Sequence, residues 1–568
     1  MVPGTCARFA SLALAASICL GTGCTGVKQY VQNRFKVGPN YAGADATVAE
    51  TWIDASDKLV RQESSDLSRW WSVFQDPVLD RFIESAQNQN LSLREAGFRV
   101  LAARAQLGIV TGNLFPQTQN ASGGYRRLNT PQGTPSPVDV GVPEQALQVI
   151  VPGNPTPQSY KLANQTLNFK LLSGNNFFDQ WNLGFNLAWE LDFWGRFRRA
   201  IASAEDTLDA SVSNYDYVLV TLLGDIATTY VQIRTLEKRL EFLRQNVEEQ
   251  SKMVEIITRI YDAGGDPRKG YPPKRLYDVY QVKSIHAQTE AQIPQLQIER
   301  REAGNRMCLL LGLPPADLQE LLGTSPIPTA PPEVVVGIPA DLLRRRPDIR
   351  RAERQAAAQA EQIGIAEADF YPMLTINGTL GYQASEFPQL FTTGAFNGAV
   401  GPGFQWNILN YGRIRNNMRL QEAKFQELLT TYQQTVLRAN AEVENGLAKF
   451  LQAQKRASWL DSSADYAEKA VGEIEKLARV GWRGFDANQL AVITQTKVQQ
   501  QDLQAQAHGE IAQGLIQVYR ALGGGWEVPT LSAERSELRP LPSPNSEELP
   551  TPTGGTPQAP AKDEKDNP

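Results

Sequence analysis

Side chains able to do chemistry are scarce in this chain. His286 and His508 are the only histidines among 568 residues, and there are four cysteines. Neither histidine falls in a metal-ligand spacing, and no phosphate-binding loop is present. Gly523-Gly524-Gly525 follows a helical run, so it reads as a cap and turn. Carboxylates remain. Glu442 and Glu444 stand at i, i+2 on a helical run, where they face apart and form no acid/base pair. The chain therefore does not read as an enzyme, and no metal or cofactor is expected.

The carboxylates sit on long rods. Trp194 to Ala263 contains no proline, and Leu219, Leu222, Ile226, Tyr230, Ile233, Leu236, Leu240, Leu243 and Val247 step by threes and fours. That spacing predicts one apolar helical stripe, and at about 1.5 Å per residue the helix would measure on the order of 100 Å. Just before it, Trp181, Leu183, Phe185, Leu187, Trp189 and Leu191 alternate with Asn182, Gly184, Asn186, Ala188, Glu190 and Asp192. Period two predicts a strand with one apolar and one polar face.

The arrangement occurs twice. Phe404, Trp406 and Ile408 alternate with Gly403, Gln405 and Asn407, predicting a strand over 400–409, and Tyr411-Gly412-Arg413 opens a proline-free run to about Gly481. An offset of 217 residues brings Gly195-Arg196 onto Gly412-Arg413, Tyr215 onto Tyr432 and Asp225 onto Glu442. Ala102 to Pro116 and Ala356 to Pro372 correspond ahead of each strand. Each half reads helix, strand, loop, strand, long helix, helix, as an internal duplication produces.

Further elements fill in the order. Trp70 to Pro77 precedes a helix expected from Val78 to Gly112, and a strand is expected over 117–128. Residues 129–180 form a long loop rich in Pro, Gly, Asn and Gln. A second helix is expected from Lys274 to Leu311, and the second half opens with a helix at Asp341, followed by a strand over 373–383. The domain division is signal 1–23, lead-in 24–69, first repeat 70–312, Pro-rich linker 313–340, second repeat 341–526 and tail 527–568. The tail beyond Trp526 holds nine prolines and no aromatic residue, a composition that does not support a packed core.

Bulk properties exclude other classes. Net charge is −5 with 21% charged residues, so nothing suggests a nucleic-acid partner. No apolar run outside the N-terminus is long enough for a spanning helix, whereas alternating strands leave little trace in mean hydropathy. Ala10 to Leu20, followed by Gly21-Thr22-Gly23-Cys24, has the shape of a secretory signal. Cys6 and Cys19 would leave with it, and Cys308, inside an apolar run, reads as core.

Two strands per half, each about ten residues, match the length that crosses a bilayer as part of a barrel. Four strands leave two open edges, which a membrane does not tolerate. Copies must therefore join, and dimer, trimer or tetramer would give eight, twelve or sixteen strands; a wet pore needs at least three copies.

Val37-Gly38-Pro39-Asn40-Tyr41, Trp70 to Pro77, Trp189 to Arg196, Asp341 to Arg350, Tyr411-Gly412-Arg413 and Ala521 to Trp526 occur in the order found in outer-membrane factors. Over Lys36 to Trp526 the chain resembles the TolC/OprM type, in its NodT-like lipoprotein branch. The resemblance implies a mixed, mainly α fold: a homotrimer sharing a 12-stranded transmembrane β-barrel continued by a long α-helical barrel. It implies an efflux exit duct in the outer membrane, with a periplasmic adaptor and an inner-membrane pump as partners. A type I protein-secretion duct and a structural envelope coiled coil are the competing readings; the latter leaves the strands unexplained.

Residue roles follow from the same resemblance. Gly23-Cys24 resembles a lipoprotein signal, implying lipidation of Cys24 and attachment to outer-membrane lipid, although Gly21 stands where Leu is usual. Asp225, Glu442, Glu444 and Asn445 match the acidic gate region, with Asn445 replacing the usual acid; solvated helix-face positions are the alternative. Adaptor docking is expected at the tips, Gly264, Gly265, Asp266, Gly481 and Gly484. Asn182, Asn186, Thr375, Asn377, Thr379, Gln405 and Asn407 are expected to line a neutral, polar lumen, and Trp181, Trp189, Trp194 and Trp406 to form interface girdles.

Overall fold

The computed structural model describes residues 27–43, 45–63, 66–129, 177–262, 275–341, 345–479 and 487–527. Cys24, the tip glycines with Asp266, most of the 129–180 loop and the tail beyond Glu527 lie outside them.

A short helix α1 (Val27–Gln32) and strand β1 (Val60–Arg61) lead to a 3-10 turn, Trp70–Phe74. Helices α2 (Pro77–Gln89) and α3 (Leu91–Gly112) then run to strands β2 (Thr118–Asn129) and β3 (Phe177–Leu191). The single helix expected over 78–112 is divided at Asn90. This residue takes an extended conformation, accepts from Leu93 N to cap α3, and donates to Leu310 O at 2.7 Å.

The first rod, α4, spans Arg196–Asp262 in 67 residues. The return run is again two helices, α5 (Leu276–Glu290) and α6 (Gln292–Leu310), not one. Pro294 explains the break, because its ring removes an N–H and crowds the carbonyl four residues back. A minor helix α7 (Gln319–Leu322) and strand β4 (Val334–Val335), parallel to β1, cross to the second half.

There α8 (Pro347–Ala368) starts six residues later than expected from Asp341. Pro347 fits the first helical position, and it drives Arg346 out of the helical region to φ −73°, ψ 121°. Strands β5 (Met373–Ala384) and β6 (Phe396–Gln405) follow, then the rod α9 (Arg413–Arg479, again 67 residues) and α10 (Ala487–Ala521). Strand β6 lies about four residues earlier than the alternation suggests. Met373, its last partner's first residue, pairs with Gln405, and Trp406 to Leu409 have no strand opposite them.

Among the described residues, β2-β3-β5-β6 form one antiparallel sheet with β2 and β6 at its edges. The registers put Leu183, Phe185, Leu187, Trp189 and Leu191 opposite Tyr382, Leu380, Gly378, Ile376 and Leu374 on one face. Asn182, Asn186 and Glu190 face Gln383, Thr379 and Thr375 on the other. The helical core lies away from the sheet, where Leu219, Leu223, Ile226 and Tyr230 of α4, Val443, Leu447 and Phe450 of α9, and Leu515 and Tyr519 of α10 are all buried. No described helix is long and apolar enough to cross a membrane.

Candidate functional site

The sheet carries an apolar belt turned outward. Leu183 (43% exposed), Phe185 (40%), Leu380 (54%), Phe404 (75%) and Val400 (77%) share the face that a water-soluble sheet would bury. Aromatic rings mark both ends. Trp181 packs on Tyr125 and Phe387 at ring distances of 4.6 and 5.0 Å. Eight residues on, Trp189 donates to Leu114 O at 3.2 Å, and Trp406 makes the matching bond to Phe370 O at 2.9 Å. Eight strand residues span about 26 Å, close to the apolar height of a membrane barrel. The opposite face is polar and neutral at Asn182, Asn186, Thr375, Asn377 and Thr379. Gln405 pairs with Met373 on that polar side, whereas Asn407 lies beyond the strand.

The strand-to-rod junction is tied by arginines. Asp192 accepts from Phe197 N and Arg198 N, capping α4. Gly195 has φ +83°, and an added Cβ would meet Lys36 Cα at 2.8 Å. Trp194 O accepts from Val37 N, and Trp194 Nε1 donates to Pro372 O at 2.8 Å. Arg198 donates to the carbonyls of Arg34 and Phe35, both at 2.8 Å. Arg199, fully buried, donates to Val37 O, to Gly38 O and to Glu361 Oε2, the last two at 2.7 Å. The stretch from Val37 to Tyr41 is thus a strap across the turn. Sequence reasoning missed these arginines, yet a signal existed. Cations in the first turn of a helix oppose its dipole, so Arg196, Arg198 and Arg199 had to find acceptors outside it.

A second junction lies halfway along the rods. Asp76 caps α2 through Val78 N and accepts 2.6 Å from Tyr230 Oη. Burial, then that bond, pushes the Tyr230 phenol well up, so it stays a neutral donor. Trp526 Nε1 donates to Arg345 O, and the Arg350 guanidinium lies 4.9 Å over the Trp526 ring. The motifs 70–77, 341–350 and 521–526 therefore meet at one place, while 37–41 and 189–196 meet at the sheet end.

The expected gate residues border this middle junction and stand on separate partners. Asp225 pairs with Arg520 at 2.9 Å, both about two-fifths exposed. Glu442 pairs at 2.8 Å with Arg346, which also binds Asp348 and donates to Ala521 O. Burial opposes the charge on Arg346, but the hydrogen bonds and charges of Asp348 and Glu442 outweigh it and raise its pKa. Glu444 accepts from Ile53 N at 2.9 Å, and Asn445 is exposed. Asp225 is 37 residues short of the end of α4, about 55 Å along the helix. Cys308 is buried, with its Sγ 3.7 Å from Ala316 O. His508 pairs with Asp461 at 2.9 Å, while His286 lies 3.9 Å from Glu290 in its own helix.

The profile of the outer membrane efflux protein family matches residues 82–313 and 338–524, well over half of the chain. The chain belongs to this family. It is 29% identical over 473 residues to the pyoverdine export outer membrane protein OpmQ of Pseudomonas putida, covering 81% of this chain and 88% of that protein. It is 25% identical to the probable outer membrane lipoprotein SilC of Salmonella typhimurium, covering 86% and 95%. Among solved structures, the outer-membrane channel OprN superposes with a TM-score of 0.73 at 29% identity, over 86% of this chain and 99% of that one. As an outer membrane efflux protein, this chain is a duct and not an enzyme.

Proposed function

We propose that three copies join their sheets into one 12-stranded barrel, continued inward by a barrel of rods, and that this duct passes small molecules delivered by an inner-membrane pump through a periplasmic adaptor. The observation that carries the reading is the pairing of an exposed apolar belt with two open edges, β2 and β6. In a membrane the belt is solvated by lipid, and the edges are satisfied only by another copy. The matching features of residues 70–312 and 341–526, including two rods of 67 residues, support an internal duplication that doubles the threefold symmetry.

Three finer roles belong to the same proposal. Lipidation of Cys24 suits a chain whose first described helix packs Tyr30 against Trp194 at the sheet end, 5.8 Å between rings; a Cys24→Ser variant that still takes up palmitate would refute it. Gly264, Gly265 and Asp266, between Asp262 and Leu276, and Gly481 and Gly484, between Arg479 and Ala487, would meet the adaptor; crosslinking from these positions to a co-purified adaptor tests it. Asp225, Glu442, Glu444 and Asn445 form the gate set, with Arg520 and Arg346 as clasps on the first two carboxylates.

Planar-bilayer recording tests the duct and gate together. Wild type should give a small, cation-selective conductance that changes on combined neutralisation of Asp225, Glu442 and Glu444. A large, steady, unselective conductance keeps the duct and removes this gate. Absence of any channel sinks the barrel.

A further inference from the structure

The internal junction between β3 and β5 is a template for the junction that the chain leaves unmade. Trp189 and Trp406 make the same indole bond, and Gly195 and Gly412 share φ values of +83° and +82°, so β3 corresponds to β6. In that correspondence Ala188 matches Gln405. Their hairpin partners are Thr118 and Met373, so β2 matches β5 in the register these pairs fix. Transferring the pairs Leu187–Gly378, Ala188–Asn377, Trp189–Ile376 and Leu191–Leu374 then gives Phe404–Gly123, Gln405–Ser122, Trp406–Ala121 and Ile408–Gln119.

Two independent observations agree. First, the faces match. Phe404 shares a face with Leu374, and Gly123 shares a face with Leu183, so the transferred pair lies wholly on the apolar belt. It sets large residues opposite small ones, Phe404 on Gly123 and Trp406 on Ala121. A slip of one residue would turn Phe404 into the polar face. Second, side chains await a partner. β3 continues to Leu191, but its counterpart β6 stops at Gln405, leaving Ile408 70% exposed. Trp194 stacks on Tyr371 at 4.5 Å, whereas its counterpart Tyr411 is 96% exposed. In the turn after the matching helix, where the indole bonds pair Leu114 O with Phe370 O, the counterpart of Tyr371 is Phe115, itself 63% exposed; the extra residue Gln117 before β2 accounts for the one-residue difference from the strand correspondence.

We propose that β6 of one copy pairs antiparallel with β2 of the next, Gln405 opposite Ser122, so that β6 extends to Ile408 and Tyr411 stacks on the partner's Phe115. This rests on the trimer reading and adds its register and contacts.

The test is disulfide crosslinking in the full-length protein with Cys308→Ser. Gln405→Cys with Ser122→Cys should oxidise to covalent trimers on a non-reducing gel. Gln405→Cys with Asn120→Cys or with Gly124→Cys, two residues out of register, should do so at least about fivefold less, because diagonal pairs exceed disulfide reach. Light scattering first establishes the size of each variant. Preferential crosslinking of a slipped pair, or none in a particle of trimer mass, overturns the register while keeping the trimer. A monomer for wild type overturns both.

Discussion

Asn90 and Arg346 do one task with different chemistry. Each precedes the helix that leads to the sheet, and each donates a 2.7 Å hydrogen bond to the last carbonyl of a return helix, Leu310 for Asn90 and Ala521 for Arg346. The receiving turns match as well, with Gly312 at φ +72° and Gly523 at φ +76°. Asn90→Ala removes both a helix cap and a carbonyl partner, and should destabilise the protein by about 1–3 kcal/mol. Thermal unfolding in detergent measures it.

Arg346 holds more. Replacing it with Ala leaves Asp348, Glu442 and Ala521 O without their shared donor, so the loss should exceed that at Asn90 and approach about 3–5 kcal/mol, as for breaking a buried pair. Lys would restore the charge without the fork, and Arg346→Lys should recover only part of the stability. An Arg346→Lys variant as stable as wild type would show that charge alone matters here.

The half-exposed pair Asp225–Arg520 should contribute little. A double-mutant cycle with Asp225→Asn and Arg520→Gln is expected to give a coupling of about 1 kcal/mol or less, shrinking in high salt. A larger, salt-insensitive coupling would mean that the assembled duct buries the pair.

Glycine substitutions offer a contrast within the helices. At Gly364 a Cβ would lie 2.2 Å from Arg199 Cδ, against the most constrained side chain of the strap. At Gly472 it would meet nothing within 4 Å. Gly364→Ala should therefore lower the unfolding temperature markedly and expose residues 27–41 to protease. Gly472→Ala should hold or raise it, since Ala favours a helix over Gly by about 0.5–1 kcal/mol.

Periodicity made the rods and three of the four strands legible. The run from Leu219 to Val247 steps at helical spacing because one stripe of α4 is buried, and residues 181–191 alternate because the register places apolar side chains on one face of the sheet and polar ones on the other. Strand β2 was found despite poor alternation: its apolar-side positions include Gln119, Ala121 and Gly123, too small or polar to signal a face. The end of β6 was misread because side-chain pattern reports which face a residue would occupy, not whether a strand lies beside it. The helix break at Asn90 and the late helix start at Pro347 depend on one residue each. The arginine strap was least legible, since Arg199 meets Glu361 across 162 residues of sequence and only the fold brings them together.

Equal rods leave the sheet through left-handed glycines, which set their direction. Each 67-residue helix is about 100 Å of stiff beam whose sheet end is set at Gly195 or Gly412. A tilt of one degree at that end sweeps the far end through about 1.7 Å. Matched lengths give the far ends of both helices the same displacement for the same tilt at their glycines.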